Sequence, residues 1–324
     1  MRLGNLYKKA VATGIENDPR GKIFVLQELD RRKKEFNKLN PEERDSFDFE
    51  SLENPYSDSR ILVGDVDSEV ITIFTGIDID VGEILLADTL RARGKKIDLL
   101  LSHHPSGRAL ANLASVMQMQ SDILSTYGVP INIAEGLMDG RIQEVERKLM
   151  PVNHTRAVDA ARLLDLPFLC LHTPADNMVT TFLQRLFDTE KPYTLSDVLT
   201  LLKDIPEYKT AGRESFGPNI LLGQGNRKAG KIFVDMTGGT EGSKEIFESL
   251  TRSGVNTIVG MHLSEDHRKE AEKNHLNVII AGHISSDNIG LNLLLDEITQ
   301  GFSYEILECS GFRRFSRFTA AQVE

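Results

Sequence analysis

Apolar residues follow two different patterns along this chain. Up to residue 59 they recur at helical spacing among charges. Phe24, Leu26, Leu29 and Phe36 do so within 23–39, and residues 3–12 read the same way. Asp18-Pro19-Arg20-Gly21 separates these two predicted helices. Asn40-Pro41-Glu42-Glu43 reads as a cap followed by proline at the first helical position. Asn54-Pro55-Tyr56-Ser57-Asp58 reads as a linker. From Arg60 the pattern becomes short aliphatic runs alternating with amphipathic stretches. Strands are predicted at 61–63, 70–77 and 97–101, with a helix at 82–93 between the last two.

The later chain continues in this way. Helices are predicted at 109–127, 131–150 and 154–164, the first with a methionine-rich face that reads as core. A strand at 166–171 precedes helices at 178–187 and 196–202. Residues 203–230 are rich in glycine and proline and would link two lobes. Strands at 231–236, 255–259 and 277–281 follow, with helices at 243–252, up to Asn274 and after Asn288. Strand–helix–strand order predicts an α/β fold with parallel strands and a site at their carboxyl ends. The expected division is a helical extension at 1–59, an α/β region at 60–308 with lobes near 60–202 and 231–308, and a tail at 309–324.

Three predicted strands end in groups that bind metals. Residues 97–101 run into Ser102-His103-His104-Pro105. Neighbouring side chains on a strand point to opposite faces. The two histidines therefore share one ion only if the chain bends, which Pro105 favours, or else each faces a different ion. The strand at 166–171 runs into His172-Thr173-Pro174-Ala175-Asp176-Asn177, and that at 277–281 into Gly282-His283-Ile284-Ser285-Ser286-Asp287. His283 and Asp287 are four apart, hence on one face of a helix. Asp78, at the end of a neighbouring strand, is either close to His103 and His104 or a helix cap. The donors are imidazole and carboxylate without sulfur, which suits zinc, manganese, iron or nickel and disfavours calcium. Five ligands exceed one tetrahedral site and suit two ions sharing a carboxylate or water.

Composition narrows the classes. A formal net charge of −10 argues against bulk attraction to nucleic acid. No apolar stretch is long enough for a membrane span, and the first residues carry no apolar core of signal-peptide type. Cys170 and Cys309 lie in hydrophobic segments, which points to a reducing, cytoplasmic setting and no disulfide framework. The glycine-rich Thr237-Gly238-Gly239-Thr240-Glu241-Gly242-Ser243 lacks the P-loop lysine pattern. It reads as a tight turn, or as an anion site using Thr240, Ser243 and nearby amides. No Ser-His-Asp, Walker or Rossmann motif competes.

The three histidine motifs, in this order and context, resemble the dinuclear-metal family called type 2 GTP cyclohydrolase I, or NGG-one-interacting-factor-three-like. The resemblance covers roughly residues 60–308. It implies a two-lobed α/β fold with the metal site in a cleft, two divalent ions, and assembly into a homo-oligomer, often a ring-shaped hexamer. It places metal ligands on His103, His104, Asp176 and His283. The family's fifth ligand is a glutamate, and Asp287 stands at that position, one methylene shorter. The family also has a glutamate and histidines after the preceding strand; here His262, Glu265 and His267 are shifted. Glu265 and His267 are the candidates for moving protons. The implied activity is metal-dependent hydrolysis of a nucleotide or other phosphorylated small molecule. The alternative is a non-catalytic metal-binding or adaptor protein. No ligand of the family pattern falls in 1–59, so the metal site is expected to survive their removal.

Overall fold

The structure, a computed structural model, describes residues 1–215 and 217–317. Its strands are β1 (Arg60–Val63), β2 (Thr72–Gly76), β3 (Leu99–Ser102), β4 (Phe168–Cys170), β5 (Asn219–Leu222), β6 (Lys231–Asp235), β7 (Val255–Gly260), β8 (Asn277–Ile280) and β9 (Glu305–Cys309). One sheet has the order β1-β4-β3-β2-β9 and the other β5-β8-β7-β6. Within each sheet the strands run parallel except for one antiparallel edge strand, β1 or β5. β2 and β3 are buried along their whole length, as strands covered on both faces must be. This is the mixed α/β fold expected from the alternation of aliphatic runs and amphipathic stretches.

Two long helices, Thr173–Glu190 and His283–Thr299, pack on each other between the sheets. Ala175, Met178, Leu291 and Leu294 face Leu99, Leu101 and Leu169 of the first sheet. Val179, Leu183 and Ile289 face Val234, Val259 and Ile279 of the second. Each helix directly follows a buried strand, β4 or β8, so its first turn sits at the carboxyl end of that strand.

The segment before Arg60 is helical, as expected. Its first helix, Leu3–Glu16, also packs against both central helices. Leu3, Leu6 and Ala10 are wholly buried in the same cluster as Leu171 and Leu291. Burying each leucine contributes about 1.5–3 kcal/mol. Gly14 lies against Pro174, where a methyl group would stand 2.9 Å from the Pro174 Cα.

Other parts differ from the expectation. The helix expected at 109–127 is three short helices, Gly107–Ala111, Leu113–Val116 and Met119–Thr126. Asn112 ends the first by donating from its amide to the Arg108 carbonyl, a local bond that competes with helix continuation. The turn-rich stretch 203–230 holds a helix, Pro206–Arg213, and the edge strand β5. β9, at the end of the second expected lobe, pairs with β2 in the first sheet. Phe312, just beyond it, is wholly buried, and Arg317 pairs with Glu207 at 2.7 Å. Residues 318–324 of the expected tail lie outside the described residues. Among the described residues, no helix is long and apolar enough to cross a membrane.

Candidate metal centre

The carboxyl ends of β3, β4 and β8 converge. His103 and His104 follow β3, His172 and Asp176 follow β4, and His283 and Asp287 follow β8. Two residues, Ala281 and Gly282, turn the chain from β8 into the helix, and Gly282 takes a φ of +107°, a conformation in which a side chain is strained. The His103 and His104 rings lie 5.2 Å apart, and the His104 and His283 rings 5.3 Å. The chain bends after Ser102, so both neighbouring histidines reach one region. Their backbone amides donate to the Gly76 and Ile77 carbonyls at the end of β2.

Asp287 is the hub. Its carboxylate is wholly buried. Oδ1 lies 3.5 Å from His103 Nε2, and Oδ2 lies 3.4 Å from His104 Nε2 and 3.7 Å from His283 Nε2. Asp176 Oδ1 lies 3.3 Å from His103 Nε2. Neither oxygen of Asp287 has a hydrogen-bond partner, and nor do His103 Nε2 and Asp176 Oδ1. Four buried polar atoms without partners are costly unless something else satisfies them. Two ligand atoms about 2.0–2.2 Å from one tetrahedral ion stand about 3.3–3.6 Å apart, which matches these separations. The groups His103–Asp176–Asp287, His104–His283–Asp287 and His103–His104–His172 could each hold a metal ion.

Three histidines are oriented alike. His103 Nδ1 faces the Leu171 carbonyl at 3.3 Å, His104 Nδ1 faces Asp78 at 2.7 Å and His172 Nδ1 faces Asp58 at 2.8 Å. Those oxygens only accept, so Nδ1 carries the proton and Nε2 is left facing the centre. Imidazoles that bind metals are commonly held this way. Asp78 is thus beside His104, while Asp80 caps the following helix. Asp58 also accepts from the Thr173 hydroxyl at 2.6 Å, and the His172 amide donates to Ser59.

The electrostatics follow the geometry. Burial opposes a charge on His103, but Asp287 and Asp176 outweigh it and hold its pKa well above the ordinary histidine value. Burial opposes a charge on His104 too, yet Asp287 and Asp78 push it up to about 9. Burial holds His283 below its usual value, and Asp287 only partly offsets this. Asp287 is held far below the carboxylate range: desolvation is overcome by His103 and His104.

A solved NIF3 superfamily protein from Sphaerobacter thermophilus shares this architecture, with 25% identity and a TM-score of 0.68, over 79% of this chain and 91% of that one. This chain has the NIF3-like fold. Reduced HcgD from Methanocaldococcus jannaschii is similar at 16% identity and TM-score 0.47, over 78% of this chain and 89% of that one. TTHA1606 from Thermus thermophilus is similar at 14% identity and TM-score 0.44, over 78% and 89%. No family model and no curated protein matches the chain.

Within the NIF3-like fold, the five expected ligands come together in one place. Of the two expected proton carriers, Glu265 lies away from it and His267 lies on the wall of the adjoining cavity. Glu265 is on the exposed face of the helix Glu265–Lys273, paired with Arg268 at 2.9 Å. His267 is buried, with Nε2 3.0 Å from the Gly242 carbonyl of the glycine-rich loop and Nδ1 2.7 Å from the hydroxyl of Ser264, which caps the helix that follows. That loop leads into a helix, Ile246–Arg252, that starts later than expected and has only seven residues. Thr240 lines the cavity beside the cluster; Ser243 is buried, with its hydroxyl on Glu245. Sequence reasoning does not single out Asp58, because it sits in a turn-like stretch 114 residues before His172.

Proposed function

We propose that this chain is a dinuclear divalent-metal protein that hydrolyses a nucleotide or other phosphorylated small molecule, with His103, His104, Asp176, His283 and Asp287 as ligands. One observation carries the reading: both Asp287 oxygens are buried and unpartnered, each facing a different set of donors. Two divalent ions held there would supply Lewis-acid charge at a phosphoryl group and a lowered pKa for water. Asp58 and Asp78 fix the tautomer and direction of His172 and His104. Leu113, Phe247 and Leu263, which line the adjoining cavity, shield the centre from bulk water. Cytoplasmic location and assembly into a ring-shaped homo-oligomer belong to the same reading, and both cysteines are free, as a reducing setting requires.

The alternative, a non-catalytic metal-binding or adaptor protein, is favoured by one observation. Glu265 is paired with Arg268 on an exposed face, and both nitrogens of His267 are already engaged. Elemental analysis of protein purified without chelator, then a phosphoester and nucleotide screen of the loaded protein, tests both. About two ions per chain and turnover are expected, with the metal lost in the His103→Ala, His104→Ala double variant. Metal retained by that variant contradicts the ligand assignment. Metal without turnover supports the alternative.

A further inference from the structure

The cavity beside the histidines has a volume of about 300 Å³ and reaches the loop after β6. Its walls are mixed, with leucine, methionine and phenylalanine side chains beside histidines and carboxylates. Among the described residues, no lysine or arginine lines it. Beyond the metal cluster its ionisable lining is Asp235, Glu241, His262 and His267; the His262 ring lies 5.0 Å from that of His283, and His267 Nδ1 lies 3.3 Å from Glu241. An anion placed against Asp235 and Glu241 would be repelled by their charge. Thr240, expected to receive an anion, adjoins Glu241 on this wall.

Asp235 ends β6 on the same face as Phe233, which packs with Ile246 and Phe247. Among the described residues its carboxyl has no hydrogen bond or ion pair. Glu241 is partly satisfied, since it accepts from the Ser264 amide at 2.8 Å and lies 3.3 Å from His267 Nδ1. Burial, reinforced by Glu241, pushes Asp235 up to about 6. A half-buried carboxylate without a partner costs free energy that an incoming cation recovers.

We propose that Asp235, with Glu241 beside it, reads a protonated amine or amidinium on the ligand. The substrate is then a small zwitterion: an anionic group at the metal centre and a cationic nitrogen at Asp235. The anionic half rests on the function proposed above; the cationic half rests on Asp235 and the cavity. A charge-assisted pair between ammonium and carboxylate is about twice as strong as a neutral hydrogen bond, and low local dielectric strengthens it further.

Calorimetric titration of the metal-loaded full chain with ω-aminoalkyl phosphates, ethyl to hexyl, tests this against neutral alkyl phosphates of the same length. At least one amino phosphate is expected to bind about tenfold or more tightly than its neutral match. Asp235→Asn should reduce that preference to within about twofold. It should leave metal content and neutral-phosphate affinity unchanged. Its melting temperature should be unchanged, because the half-buried carboxyl has no partner to lose. Asp235→Ser is the second variant, with the same expected loss of preference. Benzamidinium, which carries no phosphate, separates the two halves. If it binds through Asp235 while no phosphate binds, the cationic half stands and the phosphate reading fails. Equal affinity for amino and neutral probes in the wild type, or a preference that survives in both variants, overturns the proposal.

Discussion

Gly290 lies against the carbonyl of Ala175, so close that a methyl group on it would stand 2.4 Å from the oxygen. This contact joins the helix carrying Asp287 to the helix carrying Asp176. The Asp287 side chain is one methylene shorter than the family's glutamate, and a close helix pair brings its backbone inward. Gly290→Ala should therefore push the helices apart, destabilising the fold by about 1–3 kcal/mol. Chelator competition should also show weaker metal binding. Unchanged melting temperature and affinity would mean that the helix spacing does not set the site.

Asp58 holds His172 and Thr173 through one carboxylate oxygen, Oδ2. Asp58→Asn removes the charge and disturbs that acceptor, so His172 loses its fixed tautomer. If His172 joins the group it could form with His103 and His104, metal affinity should fall roughly 10–100-fold, as when other supports of metal-bound histidines are removed. Affinity equal to wild type, measured by competition with a fluorescent chelator, would show that His172 takes no part.

Removing residues 1–58 should cost both folding and metal binding. Sequence alone suggests the opposite, because these residues carry none of the family's ligand motifs. The structure puts Leu3, Leu6 and Ala10 in the core around the central helices and Asp58 beneath His172. A chain starting at Ser59 is expected to be insoluble or loosely folded by circular dichroism. A soluble truncation that binds metal at full stoichiometry would refute this.

The pH behaviour follows from the raised histidines. In the metal-free protein His104 titrates at about 9 against an ordinary value of 6.5, and His103 is also raised. A folded-state pKa above the unfolded one adds stability that is fully present below about 6.5 and is lost as pH rises through about 9. The melting temperature of chelator-treated protein should thus decline across that window. Binding an ion at neutral pH must expel these protons, so roughly one to two protons per chain should be released. Calorimetry in buffers of different ionisation enthalpy reads this directly. No release of protons would place the metal on other groups.

The candidate ligands were legible because each lies within a few residues of a buried aliphatic run whose end is marked by a turn. β3 and β4 are parallel neighbours in one sheet while β8 lies in the other, and the packing of the two helices that follow β4 and β8 brings the three strand ends together. Long-range pairing left no local trace. The return of β9 to the first sheet and the reach of Asp58 to His172 join residues far apart in the chain. The break at Asn112 was hidden because the apolar spacing of 109–127 continues through it. Asp235 closes an ordinary hydrophobic strand, and only the cavity shows that its carboxyl lacks a partner.

Anomalous diffraction from crystals grown with manganese or zinc tests the bridging role of Asp287 most directly. Two peaks are predicted on either side of its carboxylate, one by Oδ1 with His103 and Asp176, the other by Oδ2 with His104 and His283. A single peak, or two peaks neither of which contacts Asp287, would contradict that role and with it the dinuclear centre.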